Sequence, residues 1–440
     1  MRKAGAGIRS VCAAALFLAG ARAEAGQVPG RTPGEAADIV PRREIPKEME
    51  KAQLPAPYLR WMLHPLKRGM SITLPVIDTD PNRGITIGFM PIWVFKEEGG
   101  ERIKQIHAPS ISYNKNFLVT PTYRYYLYPQ ADSTLMARAS MGKFEHEAMG
   151  DYRDQSFAGT SHNVNLRVQE NVDAGNHFFG LGPNSAKNSE TNYKADFLLV
   201  RGGWGTPIFG DSGWRAHAGD TMQAEKVDNG PLPGFKGFRD TFPDAAAEHR
   251  HQSNELRAVL DYDTRDNAVT TTQGAYLQLF NDHSIRGFLS EYDFSRSGFD
   301  GRYFYKWPTE SKRVTAVNLR FEQLLGNAPF WLLPSLGGKY SQRAYGEGRF
   351  VDRSLITFNA EQRFTIYEAK MGGVNTEFEV APLVGVATVA DNPGSYSKRY
   401  LRPVVGGAIR AVARPQVVGS VDFGVGQEGL SVFTDINYSF

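Results

Sequence analysis

The chain has 440 residues, with 50 Lys and Arg against 47 Asp and Glu, and one cysteine. The first 23 residues hold four of the basic residues and no acidic ones, so the remainder is close to neutral. A nearly neutral chain argues against a nucleic-acid partner. Because the one cysteine, Cys12, also lies in that first segment, the remainder can form no disulfide.

Residues 1–23 have the pattern of a secretory signal peptide. A basic start precedes a short apolar core, Val11 to Ala19, and small residues follow at the cleavage position, with Ala23 or Ala25 as the last residue removed. The core is too short to span a bilayer, which predicts export without a membrane anchor. Residues 24–83 are rich in Pro and charge and are predicted to form a mostly extended periplasmic segment.

From residue 84 onward, apolar and polar residues alternate in short runs. This period is typical of strands that have one apolar and one polar wall. The mean hydropathy of −0.39 is compatible with a membrane barrel, because lumen-facing polar residues offset lipid-facing apolar ones. The pattern predicts an all-β fold, a transmembrane antiparallel β-barrel of about 16 strands over residues 84–440. The predicted strands are 84–95, 103–113, 117–128, 134–144, 161–172, 193–204, 213–224, 252–263, 272–283, 298–308, 312–323, 353–366, 373–386, 402–412, 417–425 and 431–440.

The predicted connections alternate in length. The three longest, 173–192, 225–251 and 324–352, fall at one end of the predicted barrel. Most connections at the other end are short, with 145–160 as the exception. Long external loops and short periplasmic turns are the pattern of outer-membrane barrels.

The run from Leu336 to Arg363 joins a long Gly-rich loop to a clearly alternating strand. Glu361 and Arg363 fall on the polar wall of that strand. Arg343, in the loop, is predicted to fold back into the barrel and pair with Glu361, since a planar guanidinium can grip a carboxylate with two hydrogen bonds.

This run resembles the sixth extracellular loop and following strand of the BamA/TamA family of outer-membrane barrels, the bacterial surface antigen superfamily. The matching residues are Leu336-Gly337-Gly338, Gln342-Arg343-Ala344-Tyr345 and Glu361-Gln362-Arg363. The family has Val and Gly where this chain has Gln342 and Ala344. The resemblance implies a loop latch made of Arg343, Tyr345, Glu361 and Arg363.

The next strand departs from the family pattern. The family has an Asp there that helps to hold the loop arginine, and the matching position in this chain is Gly385. Glu377 and Glu379 lie on the polar wall of the same strand and are the candidate substitutes.

Three further stretches carry the same resemblance. Asp263, Arg265, Asp266 and Asn267 match a turn motif of the family, although Asp and Asn also favour ordinary solvated turns. The run from Phe178 to Asn184 resembles a loop of its shorter members, and is equally readable as a plain Gly-rich loop. The chain ends on an alternating segment with Ile436, Tyr438 and Phe440 on one face, which resembles the carboxy-terminal signal for barrel assembly.

The resemblance implies a non-enzymatic integral outer-membrane protein of a Gram-negative bacterium, without a cofactor or metal. Family barrels assist the insertion or passage of other proteins through a weak seam between their first and last strands. The segment before residue 84 is too short and too poor in apolar residues for a periplasmic POTRA domain. The implied partners are outer-membrane lipid and lipopolysaccharide, the assembly machinery during biogenesis, and a separate periplasmic protein. The alternative function is a passive, porin-like channel.

Two short patterns offer rival chemistry. Gly210-Asp211-Ser212-Gly213 matches the nucleophile motif of trypsin-like proteases, but no matching His motif precedes it, and its residues are turn formers. His249, His251 and Glu255 cluster near a long loop. The sequence places no convincing third metal ligand beside the two histidines, which favours a solvated loop.

Overall fold

The computed structural model describes residues 63–79, 81–99, 102–210, 212–246, 249–308, 312–371, 374–414, 417–436 and 438–440. The predicted signal peptide and most of the predicted periplasmic segment lie outside these ranges, as does Asp211 of the protease-like motif. Within the described ranges, no helix has the length and apolar character needed to cross a membrane.

Strands make up most of the described chain. They are β1 (Leu63–Leu66), β2 (Gly69–Asp78), β3 (Thr86–Lys96), β4 (Ile103–His107), β5 (Ser110–Asn114), β6 (Leu118–Leu127), β7 (Ser133–Met141), β8 (His146–Asp154), β9 (Asn163–Phe178), β10 (Thr191–Pro207), β11 (Trp214–Asn229), β12 (Lys236–Gly237), β13 (His251–Asp263), β14 (Gly274–Ser284), β15 (Asp293–Lys306), β16 (Arg313–Asn327), β17 (Ser335–Leu336), β18 (Phe350–Val351), β19 (Ser354–Met371), β20 (Val374–Ala390), β21 (Arg402–Ala413), β22 (Val417–Gly426) and β23 (Gly429–Ile436). The helical turns are α1 (Phe238–Thr241) and the 3-10 turns Phe157–Gly159, Lys187–Ser189, Pro243–Ala245, Phe330–Leu332, Pro393–Ser395 and Lys398–Tyr400.

The strands form a closed antiparallel barrel. All but β17 and β18 belong to one sheet, in which neighbours along the chain pair with each other. β4 and β5 act as one interrupted strand, because both pair with β3 and with β6. The barrel closes where β2 meets β23, and there the Thr79 amide donates to the Val432 carbonyl over 2.9 Å.

Within the described ranges, the wall contains 18 strands when β4 and β5 count as one and the short β1 and β12 are left out, two more than the sequence pattern predicts. One addition is β2, so the barrel begins before the predicted boundary at residue 84. The other is β8, which divides the predicted connection 145–160. The outward positions at the centre of β8 are the small residues Ala148 and Gly150, so this strand lacks the apolar wall by which the other strands are recognised.

The presence of β8 also changes which connections lie at which end of the barrel. The four longest connections, 179–190, 230–250, 328–353 and 391–401, lie at one end, here called the long-loop end. The opposite, short-turn end includes 97–102 and 128–132, which the predicted strand count had placed with the long loops. The predicted grouping of the three longest connections at one end is confirmed.

The two walls of the strands differ as the alternation predicts. On β19, Thr357, Asn359, Glu361 and Arg363 are buried in the lumen, whereas Phe358 is 40% exposed on the outside. Large apolar side chains are exposed on the outer wall of many strands, among them Phe89, Val119, Leu198, Leu279, Val384, Val405 and Ile409. An apolar outer band with a polar interior is what a lipid environment requires of a barrel.

Candidate functional site

Glu361 lies at the centre of a buried group of charges inside the barrel. Arg410 on β21 donates to both of its oxygens, each over 2.9 Å, and Arg363 donates through Nε to Oε1 over 2.6 Å. The Glu361 side chain is fully buried. Two-point binding by Arg410 makes this the strongest contact of the group.

Asp422 on β22 provides the second buried carboxylate. Arg410 Nη2 also donates to Asp422 Oδ1 over 3.0 Å, so one guanidinium joins both acids. Lys339 Nζ lies 3.5 Å from Asp422 Oδ2, and Ser420 Oγ donates to the same oxygen over 3.1 Å. We call Lys339, Arg343, Glu361, Arg363, Arg410 and Asp422 the lumenal charge cluster.

Arg343 reaches this cluster from the long loop, but its contacts there are longer. Its Nη1 lies 3.5 Å from Glu361 Oε2 and 3.7 Å from Asp422 Oδ1, and this nitrogen has no hydrogen-bond partner among the described residues. Burial lowers the pKa of Arg343, because the loss of solvation outweighs the attraction of the two carboxylates. The predicted neighbours are thus brought together, with Arg343 held by charge attraction and without the predicted two-point grip.

The loop reaches the lumen because it folds tightly on itself. Gly337 has φ +129, and a Cβ there would overlap the carbonyl oxygen of Gly346. The Gly338 amide donates to the Tyr345 carbonyl over 2.9 Å, which closes the turn that carries Arg343. The Tyr345 ring is buried, and its hydroxyl accepts from the Gln427 amide over 3.3 Å. These contacts fix the two latch residues that the loop contributes.

The candidate substitutes for the missing family Asp have other partners. A Cβ on Gly385 would lie 2.5 Å from Asn359 Oδ1 and 3.0 Å from Gln342 Oε1, so the present loop leaves little room for a larger residue. Glu377 accepts from Lys312 and Arg414 near the short-turn end. The acid closest to the family's role is Asp422, two strands beyond β20.

Glu379 binds the carboxy-terminal residues, which lie inside the barrel. Its Oε2 accepts from the Tyr438 hydroxyl over 2.8 Å. The Arg363 guanidinium carbon lies 3.9 Å from the centre of the Tyr438 ring, and that of Arg410 lies 4.8 Å away. Cations over an aromatic face are attracted by its negative charge distribution. Tyr438 therefore packs against two members of the lumenal charge cluster.

The predicted terminal strand is thus shorter than expected. β23 ends at Ile436, which pairs with Gly419, and the chain then turns into the lumen. The Phe440 ring packs against Phe304, Val314 and Ala316 on the inner wall. Tyr438 and Phe440 do not continue an outer face of β23, because the polar and cationic groups of the lumen offer Tyr438 partners that lipid lacks.

The family-like turn lies next to the charge cluster, at the short-turn end of the barrel. Within it, Arg265 donates to both carboxylate oxygens of Asp263, over 2.9 and 2.7 Å. Asp266 accepts from the Thr272 amide, and Asn267 accepts from the Thr270 amide. These local bonds form the turn that its residue types predict.

The turn also closes part of the lumen at the short-turn end, because two of its backbone carbonyls accept hydrogen bonds from arginines. Arg363 Nη1 donates to the Thr271 carbonyl over 3.1 Å, and Arg414 Nη1 donates to the Thr270 carbonyl over 2.5 Å. The lumen is therefore occupied from both ends. The long loop fills it on the long-loop side of the cluster, and the turn and the carboxy terminus fill it on the short-turn side.

Arg410 and Asp422 are members of this site that the sequence analysis missed. A signal for them does exist, since Val405 and Ile409 face outward on β21 and Phe423 and Val425 face outward on β22. A charge at an intervening position must therefore face the lumen.

Over the part of the chain that the structure describes, the junction between β2 and β23 has fewer backbone hydrogen bonds than the neighbouring strand pairs. Among the described residues, one backbone hydrogen bond joins the two strands, between Thr79 and Val432. Three other bonds use threonine hydroxyls: Val432 to Thr79, Ile77 to Thr434 and Thr434 to Ile77. By contrast, β2 pairs with β3 over ten successive residues.

A short strand covers part of the remaining β2 edge. β1 pairs with residues 69–72 of β2, at the short-turn end. β23 thus contacts the long-loop half of β2, and the four residues of β1 pair with the same edge of β2 at the short-turn end.

Comparison with known proteins places this architecture in a family. Residues 133–412 match the family model described as the Omp85 superfamily domain. BamA from Haemophilus ducreyi lacking POTRA domains 1–3 is similar in structure, with a TM-score of 0.52 and 15% sequence identity over 83% of this chain and 75% of that one. CdiB from Acinetobacter baumannii gives a TM-score of 0.44 and 11% identity over 84% of this chain and 59% of that one. No curated protein sequence matches the chain.

Proposed function

This chain belongs to the Omp85 superfamily and forms an outer-membrane β-barrel, and on that premise we propose that it assists the insertion or translocation of other proteins through the junction of β2 and β23. The proposal needs no catalytic residue and no cofactor. Its partners would be outer-membrane lipid and lipopolysaccharide, unfolded client proteins, and a separate periplasmic protein that delivers them.

The observation that carries this proposal is the incomplete pairing at the junction. A strand edge with free N–H and C=O groups is a template for another strand. In a bilayer, such an edge must find partners, because lipid offers none. Among the described residues, one backbone bond and three hydroxyl bonds hold this edge, which makes it the place where we expect the wall to open at the lowest cost and an added strand to gain the most.

The contents of the lumen weigh against a passive channel. The charge cluster and the residues packed above and below it occupy the space through which a solute would pass. Opening that path would require removal of Arg343 and the carboxy terminus from buried positions.

Locking the junction is expected to abolish the proposed activity. Thr434 Oγ1 bonds to both the amide and the carbonyl of Ile77, so the two residues lie opposite each other and suit a paired Cys substitution. With Cys12 replaced by Ser, the variant Ile77→Cys/Thr434→Cys should accelerate folding of an unfolded outer-membrane barrel into vesicles only when reduced. Oxidation should remove the acceleration, and a reductant should restore it.

A second disulfide provides the matched control. Val421 is the register partner of Thr434 on the other side of β23, within a continuous ladder. The variant Val421→Cys/Thr434→Cys should accelerate client folding equally well when oxidised and when reduced. Full activity of the oxidised Ile77–Thr434 variant would contradict the proposal, and steady open conductance in planar bilayers would instead support a channel.

A further inference from the structure

Two segments at the long-loop end bring histidine and glutamate side chains together. His249 and His251 lie at the end of the connection 230–250 and the start of β13, and Glu291 lies in the connection between β14 and β15. Glu255, which the sequence places near these histidines, is instead buried and bound to Arg296. The structure thus replaces it with a residue forty positions away from His251.

The three side chains are close enough to share one ion. One ligand atom from each of them lies within 4.8 Å of the other two. His251 Nδ1 is 2.7 Å from Glu291 Oε2, and the rings of His249 and His251 lie with their centres 4.2 Å apart. His249 and Glu291 are exposed, so an ion can reach the group from solvent.

Glu291 is held in place before any ion arrives. Its other carboxylate oxygen, Oε1, accepts from the Gln252 amide over 3.0 Å, and its own amide donates to the Gln252 carbonyl over 2.9 Å. Oε2 therefore points at His251. Hydrogen bonds that orient a ligand in this way strengthen metal sites.

We propose that His249, His251 and Glu291 form a zinc site at the long-loop end of the barrel. Imidazole nitrogens and a carboxylate oxygen are ordinary zinc ligands, and three of them leave a fourth position for water. Zinc–ligand bonds of about 2.0–2.1 Å place tetrahedral ligand atoms about 3.3 Å apart, so small rotations of these surface side chains would complete the site. The ion would replace the hydrogen bond between His251 and Glu291.

The site would link the connection 230–250 to the neighbouring connection between β14 and β15. Residues 230–250 carry α1, whose Phe238 packs with Phe178 and Phe330 in a buried aromatic cluster at the long-loop end. Zinc would tie the far end of that connection to the β14–β15 connection. This role is independent of the junction between β2 and β23.

Zinc titration of the full chain, folded in detergent and freed of metal with EDTA, tests the proposal. Isothermal titration should show one saturable site of micromolar affinity or better. His249→Ala, His251→Ala and Glu291→Gln should each weaken it by about tenfold or more. The matched control is His146→Ala, because His146 makes a similar contact with Glu170, at 3.1 Å, and among the described residues no third ligand lies close enough to both to share an ion with them.

Trypsin supplies a second measurement that does not depend on calorimetry. Arg250 lies between the two histidines, so zinc should slow cleavage after Arg250 in the parent protein and not in His249→Ala. Cleavage after the exposed Lys187, in a different connection, should be unaffected. Three results would overturn the proposal: no saturable zinc binding by the parent protein, a zinc affinity in the three ligand variants equal to that of the parent, or a loss of affinity in His146→Ala as large as theirs.

Discussion

The substitution Glu361→Ala is expected to destabilise the folded barrel by about 3–5 kcal/mol, far more than Arg343→Ala. Glu361 is bound by Arg410 and Arg363 and lies near Arg343, so its removal leaves three guanidinium groups with one buried carboxylate, Asp422. Arg343→Ala removes a cation whose contacts with Glu361 and Asp422 are 3.5 and 3.7 Å. That change should cost about 1 kcal/mol or less.

Urea unfolding in detergent, followed by the gel mobility of unboiled samples, measures the difference. Glu170→Ala is the control, because Glu170 contacts His146 on the surface and such pairs contribute about 0–1 kcal/mol. A double-mutant cycle should give a larger coupling energy for Glu361 with Arg410 than for Glu361 with Arg343. Equal costs for Glu361→Ala and Arg343→Ala would show that the cluster is organised around the Arg343–Glu361 pair.

The substitution Tyr438→Ala is expected to cost about 3 kcal/mol, since it removes a buried aromatic ring. The centre of the ring lies 3.9 Å from the Arg363 guanidinium carbon and 4.8 Å from that of Arg410. Tyr438→Phe keeps the ring and loses only the hydrogen bond to Glu379, which still accepts from Arg414. The conservative variant should therefore cost about 1 kcal/mol.

These two variants also separate folded-state packing from recognition of the chain end during assembly. The unfolding free energy of purified protein reports packing, whereas the amount of barrel in the outer membrane of cells reports both. Tyr438→Ala should lower both quantities. Normal unfolding of Tyr438→Ala with reduced membrane levels would place the function of Tyr438 in recognition alone.

The sequence predicts this fold well because alternation is a local property. On β19, the residues that the period assigns to the polar wall are buried in the lumen, as Glu361 and Arg363 show. The same pattern does not reveal β8, because its central outward positions, Ala148 and Gly150, carry no large apolar side chain. Pairing with β9 stabilises it, for example through the bond from Arg167 to Asp151 at 2.6 Å, and such a cross-strand contact has no signature in the strand itself.

The charge cluster is less predictable because its members are far apart in the chain. The approach of Arg343 to Glu361 follows from a motif, but Arg410 and Asp422 join them through the order and stagger of β19 to β22. Residue spacing alone does not give that stagger. The same limit applies to Glu291, whose position beside His251 depends on the pairing of β13 with β14.

Contacts of the long loop make the junction unequal along its length. At the long-loop end, Asn82 beside β2 donates to the Glu347 carbonyl over 2.7 Å, while Glu428 beside β23 accepts from Arg349 over 2.8 Å. One loop thus holds both sides there. At the short-turn end, the described residues on this edge of β2 pair with β1, and β23 ends at Ile436.

The pairing of β2 with β23 should therefore open first at the short-turn end, because the long loop holds both strands at the other end. Hydrogen exchange along β2 would show this as a gradient, faster near Ile72 than near Thr79, and a uniform rate would contradict it. Directional fraying would give a client a defined point of entry. Its first contacts would displace β1 from the edge of β2, and each further residue would extend the pairing toward the loop, so growth of a nascent sheet would proceed in one direction.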